Sequence, residues 1–381
     1  MKRQKPLMKH SSRIRIYQYT VLAFAMIIAF TPTLYAGMSQ ADLRVVITAM
    51  GIDKADDGTV TLSAVTIVPQ ESEARHHAVT AEGNTIADAF QNLSIRTGRL
   101  PETGHCEILI VGKAAAQKGI DAELKFLFCT GLLSGGAAVL VCEEDAAGFL
   151  EEEAGLNAEA IRINHLIRYA KRGAHVVIRT LHGYLSQTAS AQQCTVVPLT
   201  AIKNGEYQGV ERAVVFDAGG ALVKVLDKEQ TTGVALLDRN TKSGTITLPD
   251  FEVDGQKLGN ISGRLRGKSA RIRVEQADNG LRAAIRLNVR LRLPERHILS
   301  PFWNDVSARN RINALLEEQF ADEIKSKVQS AADVSKETEK DILGIMQSLR
   351  RRNRSLFAVN PDPAQVMRSI EYVIEVNCKV S

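Results

Sequence analysis

Aromatic residues make up only 5% of this 381-residue chain, with a single Trp, and prolines number 10. With 45% hydrophobic residues present, disorder and collagen-like architecture are excluded. Apolar runs long enough to span a bilayer repeatedly are also missing, so a polytopic membrane protein is excluded. The five cysteines, Cys106, Cys129, Cys142, Cys194 and Cys378, form no Cys-x-x-Cys pair and no His/Cys ligand spacing. Three of them, Cys106, Cys142 and Cys378, lie in strand-like runs and read as small buried hydrophobes rather than a disulfide framework. No phosphate-cradling Gly-x-x-x-x-Gly-Lys-Ser/Thr, dinucleotide Gly-x-Gly-x-x-Gly, hydrolase Gly-x-Ser-x-Gly, Ser-x-x-Lys or His-Glu-x-x-His is present. Gly263 with Gly267-Lys268-Ser269 falls one residue short of the first. His76-His77 are adjacent and do not converge on a metal as an i, i+4 pair does, and His105 and His182 have no partner at ligand spacing. The acidic runs Glu143-Glu144-Asp145 and Glu151-Glu152-Glu153 sit where helix starts favour carboxylates. The sequence therefore predicts no catalytic residue, no cofactor and no metal.

Charge is unevenly placed. The formal net charge is +5, yet Lys2, Arg3, Lys5, Lys9, Arg13 and Arg15 crowd the N-terminus without an acid; setting those six aside leaves 42 basic against 43 acidic residues. The basic head runs into an uncharged segment whose most apolar part is Val21 to Phe30, with Val21, Leu22, Phe24, Met26, Ile27, Ile28 and Phe30 as its anchor residues. A positive head before an apolar stretch is an export signal that leaves the remainder outside the cytosol, cleaved or retained as an anchor. A lipid-accepting cysteine would stand at position 37, which is Gly37, so lipidation is not predicted.

Two further basic features stand out: the row Arg282, Arg286, Arg290, Arg292, and Arg350-Arg351-Arg352 with Arg354. Neither interleaves aromatics for base stacking, so nucleic acid is not an expected partner. Arg suits a solvated sheet face and a helix C-terminus, which is the preferred reading of the row and of Arg350-Arg351-Arg352; for an exported, tethered chain, anionic lipid headgroups facing Arg282, Arg286, Arg290 and Arg292 are a better partner than DNA.

The body reads as mixed α/β, an α+β arrangement of sheets covered by helices. Leu43 to Ile52, an Asp56-Asp57-Gly58 turn and Thr59 to Val68 predict a hairpin, and Thr85 with Asp88 caps a helix that Gly98 stops. Glu107 to Val111 and Ala137 to Cys142 are short buried strands. Short β runs follow between Tyr207 and Leu248, with Thr232 to Leu237 among them. Ile285, Leu287, Val289, Leu291 and Leu293 alternate with polar residues as one arm of a hairpin turned at Asn279-Gly280. A helix from about Asp305 to Ser330 carries Ile312, Leu316, Phe320, Ile324 and Val328 on one face, and the alternating run Ile370 to Val380 is expected beneath it in an antiparallel sheet. The expected organisation is an anchor segment (1–37), an N-terminal mixed α/β domain (38–198), a small β-rich middle domain (199–265) and a C-terminal α+β domain (266–381).

Several segments in order resemble the Ger(x)C family, the C subunits of spore germinant receptors: Thr48 to Lys54 with Asp57-Gly58, Gly83-Asn84-Thr85-Ile86, Gly104-His105 before EILIVGK, Gly119-Ile120, Tyr184-Leu185, Ala213 to Phe216, Gly233 to Leu237, and Asp341 to Gly344. The resemblance implies a non-catalytic subunit on the outer face of the spore inner membrane, beside membrane-embedded receptor subunits to which nutrient recognition belongs. Gly37 departs from the family's usual lipoprotein signal. Read from the residues alone, an exported solute-binding protein and an exported cell-wall enzyme remain as alternatives.

Overall fold

A computed structural model describes residues 17–27, 44–68, 75–156, 163–170, 175–203, 206–278, 280–294, 299, 302 and 305–381. A first helix, α1 (17–27), precedes the body. Strand β1 (Arg44–Lys54) folds back on β2 (Val60–Val68) across the expected turn, with Gly58 at φ 90°, a conformation side chains resist. Next come β3 (Arg75–Gly83) and α2 (Ile86–Thr97). Thr85 caps α2 by accepting from the Asp88 amide at 3.2 Å, and Gly98 ends it at φ 62°, both as predicted.

The chain then alternates through β4 (Leu100–Glu102), β5 (Ile108–Gly112), α3 (Lys113–Lys118), α4 (Asp121–Cys129), β6 (Ala138–Cys142), α5 (Ala146–Gly155), α6 (Ile163–Ala170), β7 (Arg179–Thr180), α7 (Leu181–Thr188) and β8 (Cys194–Thr200). After the two-residue pair β9 (Ile202–Lys203) and β10 (Glu206–Tyr207) come β11 (Arg212–Asp217) and β12 (Leu222–Leu226). Ten strands form one mixed sheet in the order β12-β11-β8-β6-β5-β1-β2-β3, with β4 attached to β1 and β7 to β6. Strands β5 and β6 are buried at every residue because helices cover both faces. Leu109, Val111, Val139 and Val141 pack with α2, α3, α4 and α7, while Ile108, Ile110 and Leu140 pack with α5 and α6.

Helix α8 (Lys228–Leu237) leads to β13 (Thr245–Val253), β14 (Gln256–Ala277) and β15 (Gly280–Arg292). The long α9 (Val306–Thr338), then α10 (Ile345–Arg352), α11 (Arg354–Val359), α12 (Pro363–Ser369) and β16 (Glu371–Val380) complete the chain. These strands make a four-stranded sheet, β13-β14-β15-β16, whose inner face meets the α9 stripe Ile312, Leu316, Phe320, Ile324 and Val328.

Four expectations need correction. Thr232 to Leu237 lies in α8: a capping box joins Asp227 and Gln230, and burial from Thr231 to Leu237 erases the one-sided polarity that marks a surface helix. Residues 199–265 are divided between the two sheets, β11 and β12 joining the large one and β13 with the start of β14 the small one, while β9–β10 is a separate two-residue pair. Strand β16 runs parallel to β15, since the connection through α9 to α12 crosses the sheet and returns to the same end. Helix α9 continues to Thr338 because Ala331, Ala332 and Ser335, small residues with weak hydrophobic signal, prolong its buried face. Position 279 of the predicted hairpin turn lies outside the described residues, although β14 and β15 pair up to Ala277 and Gly280.

One apolar cluster runs through both sheets. Cys194, Val196, Ala213, Val215 and Leu226 of the large sheet, Val234 to Leu237 of α8, the inner face of the small sheet, α9 and α10 all belong to it. Helix α8 is the shared layer. A Cβ on its Gly233 would stand 2.1 Å from the Lys327 carbonyl oxygen, so the backbones of α8 and α9 touch. Lys327 bridges the same helices, reaching Glu229 on α8 and Glu323 on α9.

Candidate functional site

The segments that carry the family resemblance perform structural work. Asp53, at the end of β1, accepts from the Ala146 and Ala147 amides at 2.8 and 2.9 Å, so a carboxylate 93 residues away caps α5. Burial raises its pKa while those two amides oppose the shift. Gly51 and Gly112 make the fit possible: a Cβ would meet Leu150 Cδ1 at 2.9 Å in the first case and Asp53 Oδ1 at 1.9 Å in the second. Lys54 reaches Glu123 at 2.9 Å. Asp341 repeats the device in the C-terminal half, where it is fully buried and accepts from the Ile345 and Met346 amides at 2.7 and 2.8 Å to start α10. Burial pushes its pKa up to about 6 against the pull of the backbone amides. Gly344, at φ 79°, permits that approach.

Groups considered for chemistry are similarly occupied. Four cysteines are buried and Cys129 is exposed, all five as free thiols. Burial pushes Cys106 and Cys378 up to about 12, where a thiolate nucleophile does not form near neutral pH. His182 is exposed and packs against the Phe128 ring, and His105 is exposed. Glu143 pairs with Arg212, Asp145 caps α5, and Glu153 accepts from the Ile163 amide. Among the described residues no group of three or more His, Cys, Asp or Glu side chains could hold a metal ion.

An open cleft with a volume of about 1030 Å³ lies where the two sheets meet. Its floor is the stretch Arg266 to Ile272 of β14, beyond the reach of β13, whose pairing with β14 ends at Arg264. One wall is the end of α8 with the loop Asp238 to Lys242; the opposite wall is Ile342 to Arg352; Arg179, Gln187 and Gln192 close the back. Lys268 is tied into the structure: its Nζ donates to the carbonyls of Ala235, Leu236 and Asp238 at 3.0, 2.7 and 2.5 Å, satisfying the C-terminus of α8. Burial lowers its pKa to about 8, with Asp238 opposing. Asp238 is itself held by Arg179 at 2.5 Å, both side chains about nine-tenths buried. No local motif announces this cleft, because its residues come from positions 179 to 352; the near-miss motif at Lys268 and the basic run at Arg351-Arg352 are sequence signals that fall inside it.

The predicted lipid-facing row emerges on the outer face of the small sheet. Arg282, Arg286, Arg290 and Arg292 are all exposed there, but Glu371 and Glu375 of β16 neutralise the first two at 2.9 and 2.8 Å. Arg290 and Arg292 lack such a partner among the described residues, and Arg264 stands beside Arg292 in register. Of the predicted anchor, Val21, Leu22, Phe24, Met26 and Ile27 lie on α1 and are 53–66% exposed; Ile28 and Phe30 fall outside the described residues. Among those described, no helix is long and apolar enough to cross a membrane.

Comparison with known proteins gives a consistent outcome. Residues 39–202 match the family described as "Spore germination protein N-terminal domain", and residues 211–381 match "Spore germination B3/ GerAC like, C-terminal". Among solved structures, "Crystal Structure of the GerBC protein" is similar with a TM-score of 0.54 and 13% identity, covering 87% of this chain and 96% of that one. That likeness carries the fold. No curated protein matches.

Proposed function

The chain belongs to the spore germination GerAC family, and on that premise we propose that it is the membrane-associated, non-catalytic C subunit of a nutrient germinant receptor. The observation that carries this reading is the tandem match of both family domains, in order, across 39–202 and 211–381. The site chemistry supports it. Asp53 and the buried Asp341 cap helices, buried thiols are held protonated, and Glu143, Asp145 and Glu153 of the acidic runs make structural bonds. A protein built this way offers surfaces rather than aligned reactive groups.

In this reading α1 supplies the membrane contact through Val21, Leu22, Phe24, Met26 and Ile27, extended by Ile28 and Phe30. Arg290 and Arg292, with Arg282 and Arg286 more weakly because of their glutamates, face anionic headgroups. The partners are the membrane-embedded receptor subunits, which bind the nutrient. The test is genetic and biochemical together. Spores lacking this chain should fail to release refractile contents in response to a nutrient that triggers the parent strain, and the tagged chain should co-purify with multi-span membrane subunits. Normal nutrient-triggered germination under every nutrient that the parent strain answers, or turnover of wall fragments by the purified chain, would overturn the proposal.

A further inference from the structure

We propose that the cleft between the two sheets is a binding site for a small multivalent oxyanion, a molecule carrying two or more phosphate or carboxylate groups. Eight cationic side chains line it, Arg179, Arg239, Lys242, Arg266, Lys268, Arg271, Arg351 and Arg352, against one acid, Asp238. The acid is already engaged by Arg179 and the Lys268 ammonium by three carbonyls. Six cations remain, brought from three separate elements to one concavity, and none has a carboxylate partner among the described residues. Elsewhere the molecule pairs its cations readily, as Arg282, Arg286, Arg311 and Arg368 show even on open surface. Like charges converging without counter-charges raise the local potential and concentrate anions, and a concave wall sharpens the effect.

A second observation points the same way. Arg179 is nine-tenths buried at the back of the cleft, and its Nε has no hydrogen-bond partner, so a guanidinium held in place by Asp238 keeps unused donor capacity there. Guanidinium forks suit phosphate and carboxylate oxygens, and Gln187, Gln192, Asn240 and Ser269 add neutral donors to the lining. The cleft differs from the outer-face row, where two of the four arginines are neutralised by glutamates of the neighbouring strand.

The chemistry has two sources, a free polyanion or the phosphate of a lipid headgroup, and one set of variants separates them. The full chain, in non-ionic detergent at low salt, is titrated calorimetrically with pyrophosphate, with acetate as the monovalent control. Saturable pyrophosphate binding is expected, weakened about tenfold or more in Arg266→Gln/Arg351→Gln and about twofold or less in Arg282→Gln/Arg292→Gln, since each charge-assisted bond lost carries at least that factor. All four side chains are exposed, so these variants fold. Vesicles containing phosphatidylglycerol form the second arm. Vesicle capture displaced by pyrophosphate and lost in the cleft variant identifies a headgroup, whereas capture that the cleft variant leaves intact identifies a free anion. No saturable pyrophosphate binding, acetate binding of equal strength, or equal weakening in both double variants would overturn the proposal.

Discussion

Replacing Gly233 by Ala puts a methyl group between α8 and α9 where the structure has no space. The new Cβ would lie 2.1 Å from the Lys327 carbonyl oxygen, 2.8 Å from its carbon and 2.9 Å from Ala331 Cβ. Carbon and carbonyl oxygen ordinarily stay ~3.3 Å apart, so the helices must separate by about 1 Å. A gap of that size forfeits a quarter to a half of the dispersion energy of each contact across it, and overpacking of this kind costs about 3 kcal/mol. Alanine returns ~1 kcal/mol through its helix propensity, which leaves a net loss of about 2 kcal/mol. Urea unfolding of the full chain, followed by far-ultraviolet circular dichroism, measures it as a lowered midpoint at unchanged slope. Ala331→Gly in the same chain removes the softer contact and leaves the carbonyl, so the double variant should recover little. Unchanged or increased stability in Gly233→Ala would refute the backbone contact between α8 and α9.

Gly112→Ala drives a Cβ to within 1.9 Å of Asp53 Oδ1 and evicts the carboxylate from the α5 amides; a loss of about 2 kcal/mol is expected by the same denaturation assay, as for a lost helix cap plus strain. Asp341 holds its proton more tightly when folded than when unfolded, so its contribution to stability is complete below pH ~4 and is lost as pH rises through about 6, an effect of about 3 kcal/mol. Unfolding free energies measured from pH 4 to 7 should lose that slope in Asp341→Asn, and an unaltered slope would count against burial as its cause. For Lys268 the sign reverses, because its folded pKa is lowered to about 8: the group adds stability as pH rises from about 8 to 10.5. Lys268→Met should abolish that rise and, below pH 8, cost about 1–3 kcal/mol by stranding the Leu236 carbonyl, since those of Ala235 and Asp238 keep the Asp238 and Thr241 amides; both effects are visible in thermal unfolding across that range.

Features with a local cause were legible in the sequence. The Asp57-Gly58 hairpin, the Thr85–Asp88 cap with its Gly98 stop, and the stripe of α9 at four-residue spacing each announce themselves within a single hairpin or helix, and the structure contains all three. Features with a distant cause were not. Helix α8 is buried all round from Thr231 to Leu237 because both sheets press on it, so no periodicity survives there to separate helix from strand. The direction of β16 depends on where a path through four helices brings the chain back. The helix caps supplied by Asp53 and the cleft joining Arg179, Arg266 and Arg351 draw on residues about 90 positions apart, and no window on one sequence brings such positions together. Arg350-Arg351-Arg352 reads correctly as a helix C-terminus, at the end of α10, but its place opposite β14 depends on tertiary packing.

Because α8 is wedged into a filling common to both halves, the described residues pack the two halves as one unit. A load applied at the rim of the large sheet is borne by α9 and the small sheet as well, as by a strut, and the two halves melt together rather than in turn.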